Sequence, residues 1–151
     1  GERSPIWNPY AKGVFYGLDF TKTRAHFYRA AMEGVAYSLR HNLEIAAQAG
    51  APVTQLHAMG GAANSKLWTQ IKSDVTGLPI RSAKSDMATT LGAAMLAGVA
   101  TGVYKDYAQA VQQTVNMERS YVPNEENSSV YERGFCDYLK LYSQLETLMH
   151  G

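Results

Sequence analysis

A chain of 151 residues, 46% hydrophobic and 18% charged, has the length and composition of one globular domain and excludes a disordered chain. Its 14 basic and 13 acidic side chains leave a net charge of +1; with neither sign in a block, nucleic acid and anionic membrane are excluded as partners. The single cysteine, Cys136, excludes an intramolecular disulfide and reads as a buried, inert thiol in a reducing cytoplasmic setting.

Residues 1–17 hold Pro5, Pro9 and Gly13 among Trp7, Tyr10 and Phe15. Prolines at that density exclude a helix, and a structured loop leading into a short strand at 13–16 is expected. The chain opens on Gly1, shows no signal-peptide pattern and starts as if inside a loop, so it reads as a piece of a longer protein. An amphipathic helix is expected over about 22–49, capped by Thr21 or Thr23 and ended by Gly50. Tyr28, Met32, Val35, Leu39, Leu43 and Ala46 form its inward stripe, while Arg29–Glu33 and Arg40–Glu44 fall outward as i,i+4 pairs.

A strand over 53–59, a turn at Gly60–Gly61 and a helix over 65–76 follow, with Leu67, Trp68, Ile71 and Val75 inward. Gly77 stops that helix, and a second strand covers 78–82. The uncharged stretch 87–103 is too short and too mixed to span a membrane. It reads instead as a buried helix over 88–101, stopped at Gly102, whose small residues Gly92, Ala93, Ala94 and Gly98 permit a close approach. Strand, helix, strand, helix with short links is the signature of parallel β units. Two strands cannot cover helices on both faces, so more are expected, with residues upstream of Gly1 as their source.

The remainder reads as helical: a short helix over 106–116, a polar interval around Val122, Pro123 and Asn124, then a last helix from Asn127 or Ser128 to about Met149. Tyr131, Phe135, Tyr138, Tyr142, Leu145 and Met149 recur at heptad-like spacing. That seam packs on its own domain or, alternatively, forms a subunit contact and so a homodimer.

Two segments could carry chemistry. From Leu56 to Ser65 an apolar strand runs into a double glycine and a helix start. Glycine admits close backbone approach, and a helix N-terminus presents unpaired N–H groups that suit phosphate. From Asp86 to Ala94 an acidic residue stands at a helix start, where it meets the dipole favourably. An ordinary strand-to-helix turn and a capped core helix would use the same residues, so these features alone leave both readings open. The first is neither a Walker A loop nor a Rossmann fingerprint. His26, His41, His57 and His150 show no metal-ligand spacing, and no serine or cysteine sits in a nucleophile motif. Glu33, Glu44 and Asp74 read as helix-surface charges.

Taken together and in order, these segments resemble the C-terminal part of the FGGY carbohydrate kinases. Gly1-Glu2-Arg3-Ser4-Pro5 through Asn8-Pro9-Tyr10-Ala11-Lys12-Gly13 is similar to the family's opening loop, with Asn8 and Lys12 as conservative departures. Thr23 to His26, Arg29-Ala30 and Glu33-Gly34 resemble its long helix. Gly60-Gly61-Ala62 with Trp68 and Gln70 resembles its adenosine motif. Leu91-Gly92-Ala93-Ala94 and Gly98 resemble a later helix, where Asp86 and Thr90 stand for the usual Glu and Ala. The opening loop is more similar to the pentulose kinases, xylulose kinase above all, than to the glycerol kinases.

The resemblance implies an α/β, actin-like (ribonuclease H-like) ATPase domain, of which residues 1–151 would be the C-terminal portion, with additional C-terminal helices and the first domain absent. It implies ATP and Mg2+ as cofactors and a sugar bound mainly by the absent domain. Gly60, Gly61, Ala62, Asn64 and Ser65 would lie around the adenosine and its phosphates. No residue matches the family's catalytic aspartate, so the chain alone is expected to be inactive. Two other readings stay open: a non-catalytic, sugar-sensing relative of the same fold, and a helical pairing module built on the aromatic seam.

Overall fold

The computed structural model describes residues 1–83 and 88–150. The chain opens as an extended loop in which Glu2 and Asn8 exchange backbone hydrogen bonds of 2.7 and 2.9 Å. Residues 13–16 do not form the expected strand. Val14, Phe15 and Tyr16 are exposed and have no ladder partner among the described residues.

Helix α1 (Arg24–Gln48) is capped at Thr23, whose backbone N–H donates to His26 Nδ1 at 3.0 Å. It ends at Gln48, two residues before Gly50, which takes φ +86°. Strand β1 (Leu56–Ala58) and strand β2 (Ile80–Ala83) pair in parallel, Leu56 opposite Ile80. Helix α2 (Lys66–Thr76) is the crossover between them, closed by Gly77 in the left-handed conformation. Helices α3 (Ala88–Ala100) and α4 (Tyr107–Thr114) follow, the latter capped by Asp106, whose carboxylate accepts from Gln109 N at 2.8 Å. Strand β3 (Met117–Tyr121) lies antiparallel to β2, Ile80 opposite Tyr121, and α5 (Ser128–Met149) completes the chain. The sheet order is β1-β2-β3.

The third strand corrects the expectation that further strands would come only from upstream. Met117–Tyr121 alternates half-buried and exposed positions down to buried Tyr121, the period of a strand with one covered face. Its Met, Glu and Arg residues are weak strand formers, so pairing with β2 decides its conformation rather than propensity.

The core joins α1, α2 and α5 through Ala36, Ile71, Val75 and Tyr131, with Met32 and Tyr37 packed against them. This rotates α1 away from the expected stripe: Tyr28 is 71% and Val35 49% exposed, whereas Ala36 is fully buried. The side that meets α5 carries the charge pairs instead. Arg29 Nε donates to Glu33 at 2.6 Å while its Nη2 reaches Tyr131 Oη at 2.5 Å. Arg40 pairs with Glu44 at 3.0 Å and with Glu132 at 2.6 Å, its guanidinium 4.2 Å from the centre of the Phe135 ring. The i,i+4 pairs read from the sequence therefore exist, but they tie two helices together. Buried Tyr131, Phe135 and Met149 turn the aromatic seam of α5 inward, and Tyr142 Oη accepts from Asn8 Nδ2 at 2.8 Å.

Three further expectations change. Leu67 is exposed, and so is Cys136. Asp74, expected on a helix surface, is 8% exposed; its carboxylate accepts from Gln70 Nε2 at 2.7 Å, Asn124 N at 2.9 Å and Asn127 Nδ2 at 3.0 Å. A buried carboxylate needs such donors to offset its lost hydration, and here they fix the turn into α5.

Candidate functional site

Beyond β1 the backbone reverses at Gly60, which takes φ +79° and ψ −178°. That combination is essentially closed to residues with a side chain. Gly61–Asn64 then form one 3-10 turn, with Ala63 N donating to Gly60 O at 3.0 Å. Ser65 ends the turn and caps α2, its Oγ accepting from Trp68 N at 3.3 Å. Ala63 points inward at 7% exposure, while Gly61, Ala62, Asn64 and Ser65 lie on the surface and Gly60 is half-buried. The five residues singled out in the sequence are thus brought together in one turn.

Two features make this turn receptive. A Cβ built on Gly60 or on Gly61 would meet nothing within 4 Å, so the backbone face stands open to an incoming group. No acidic residue occupies the first turn of α2, leaving the positive end of its dipole uncompensated. The turn also lies at the carboxyl edge of two parallel strands, the edge at which open α/β sheets take ligands. Beside it opens a cavity of about 190 Å³, lined by Met59, Ala83, Ala88, Leu91, Thr114 and Val115. Sequence reasoning missed this cavity, because its lining comes from segments far apart in the chain.

Behind the turn, Trp68 Nε1 donates to the Met32 carbonyl of α1 at 3.1 Å. The Lys72 ammonium stands 4.1 Å from the centre of the Trp68 ring, and burial pushes its pKa down. In the second motif Thr90 is exposed on α3, whereas Asp86 lies outside the described residues. Among the described residues, no group of three or more His, Cys, Asp or Glu side chains could hold a metal ion, and no helix is long and apolar enough to cross a membrane.

Comparison with known proteins agrees with this geometry. The model of the FGGY family of carbohydrate kinases, C-terminal domain, matches residues 1–101. Xylulose kinase of Staphylococcus epidermidis is 32% identical over 148 residues, which is 98% of this chain and 30% of that protein. Glycerol kinase of Citrifermentans bemidjiense is 38% identical over 127 residues, 83% of this chain and 25% of its own length. The crystal structure of xylulose kinase from Rhodospirillum rubrum superposes with a TM-score of 0.85 at 28% identity, covering 96% of this chain and 30% of that one. The chain therefore spans about a third or less of the length of the relatives it matches, and its fold is the actin-like ATPase fold of these sugar kinases. By sequence and by fold, the chain belongs to the FGGY family of carbohydrate kinases and matches that family's C-terminal domain.

Proposed function

We propose that this chain is the nucleotide-side half of the second domain of a sugar kinase that transfers the γ-phosphate of ATP to a hydroxyl of a pentulose such as xylulose. The observation that carries the reading is the open turn from Gly60 to Ser65 at the carboxyl edge of β1 and β2. Gly60, Gly61 and Ala62 would bring bare backbone against the adenosine, with Asn64 and Ser65 beside its phosphates. ATP supplies the phosphoryl group; Mg2+ would arrive with the nucleotide phosphates, because the described residues offer it no carboxylate cluster. What the chain itself contributes is position: a rigid turn pinned by Ala63 and by the Ser65 cap. Phosphoryl transfer depends mainly on positioning and charge stabilisation, so half of a domain is expected to bind without turning over. In this reading the protein works in the cytoplasm.

Exposed surface supports the domain assignment. The chain exposes 10304 Å², whereas a compact monomer of its mass would expose roughly 7600 Å². Large apolar side chains stand open on the 14–20 loop, on α1 and on α3, including Phe15, Phe20, Tyr28 and Leu96. Such patches mark surfaces built to be covered, here by the rest of a kinase. Three of the six seam residues, Tyr131, Phe135 and Met149, are buried inside the chain, which favours packing on its own domain over a pairing module. Assays of the protein at its natural length with D-xylulose, gluconate and glycerol test the substrate: ADP release fastest with xylulose is expected. Turnover with none of them, despite bound ATP, would overturn the kinase reading.

A further inference from the structure

We propose that Trp68 is a positioning residue for the nucleotide turn, acting as a latch between α1 and the first turn of α2. The inference rests on the nucleotide reading above and adds to it the element that holds the turn in place. Trp68 is the third residue of α2, and its two N–H groups point to different anchors. Its backbone N–H closes the cap on Ser65 Oγ at 3.3 Å, and its indole N–H reaches the Met32 carbonyl of α1 at 3.1 Å. The residue that completes the cap is therefore also the one tied to the neighbouring helix. Rotation of α2 about its axis, which would swing Ser65 and the Gly61–Asn64 turn, is resisted where it matters most. The face of the ring is held by the Lys72 ammonium at 4.1 Å, a cation–π contact that Phe would keep and Ala would lose. The sequence places Trp68 near the turn; the bond to Met32 shows only in the structure.

The latch makes a distinctive kinetic prediction. A tryptophan with only a structural role lowers the fraction of folded protein, and so apparent kcat, but leaves KM for ATP alone. A latch sets the affinity of the turn. In the protein at its natural length, W68F keeps the ring and removes only the indole donor. It should raise KM for Mg-ATP about threefold or more, the scale of one lost hydrogen bond, with kcat and the sugar KM little changed. G61V, which fills the open face of the turn directly, serves as the reference. If G61V raises KM for ATP and W68F does not, the latch is wrong and the nucleotide reading stands. If neither raises it, the nucleotide reading fails and the latch with it. Should W68F fail to fold, the unsubstituted protein decides through its indole N–H signals. Those of Trp68 and Trp7 are separable, because Trp7 is 80% exposed and exchanges quickly. A shift of the Trp68 signal on adding Mg-ATP supports the latch, and an unmoved signal at saturation overturns it.

Discussion

Replacing Gly134 by alanine should destabilise the protein, against the usual effect of that change in a helix. Gly134 lies on α5 where Tyr37 of α1 lays its phenol against the helix. A Cβ built there would come 2.9 Å from Tyr37 Cζ, with the hydroxyl closer still. The ring cannot retreat freely, because its centroid lies 6.3 Å from that of Tyr131, 6.2 Å from Phe135 and 5.9 Å from Tyr138. Alanine should gain about 1 kcal/mol from helix propensity, but overpacking a filled site costs about 1–3 kcal/mol. The expected balance is a loss of about 1 kcal/mol. Gly34, inside α1, provides the control: a Cβ there meets nothing within 4 Å, so Gly34→Ala should gain about 0.5–1 kcal/mol. Urea unfolding midpoints at constant slope read both signs. In a Tyr37→Leu background the cost of Gly134→Ala should disappear, which a double-mutant cycle would show. If both alanines raise the midpoint alike, the phenol does not occupy the notch and the α1–α5 packing described above is wrong.

Other consequences follow from single residues. Asp74→Ala strands three donors around a buried site and should cost about 2–4 kcal/mol, read by the same unfolding curves. Among the described residues the buried Tyr121 hydroxyl has no hydrogen-bond partner, so Tyr121→Phe should be neutral or gain up to about 1 kcal/mol; a large loss would mean that the hydroxyl is satisfied. Burial pushes the Tyr37 pKa up to about 12, above its usual value near 10. The unfolded chain then releases this proton first, and stability should fall as pH rises between those values. Tyr37→Phe should flatten that fall in an alkaline unfolding series followed by tyrosinate absorbance. Gly60→Ala forces a side chain into a glycine-only conformation at about 1–3 kcal/mol; calorimetry should show weaker Mg-ATP binding together with the lower stability.

Local chemistry made much of the fold legible. Gly50, Gly77 and Gly102 all take positive φ where the sequence stops a helix, because glycine alone adopts that conformation without strain. The parallel pair β1–β2 and its crossover follow from the short strand–helix–strand spacing, and the candidate site lies where the double glycine meets a helix start. What stayed hidden depends on partners distant in sequence. The hydrophobic stripe of α1 pointed to Val35, but packing chose Ala36, because a small residue lets α2 and α5 approach while Arg29 and Arg40 bond across to α5. Met117–Tyr121 has no strong strand propensity of its own and becomes a strand only beside β2. Asp74 looks like any surface acid until Asn124 and Asn127, some fifty residues downstream, are folded onto it.

The central claim is that the turn from Gly60 to Ser65 receives ATP. A Mg-ATP titration followed by backbone amide NMR shifts tests it most directly. The account predicts saturable perturbations centred on Gly60, Gly61, Ala62, Asn64 and Ser65, spreading into the first turn of α2. Saturable binding whose perturbations lie elsewhere, with that turn unmoved, would contradict it.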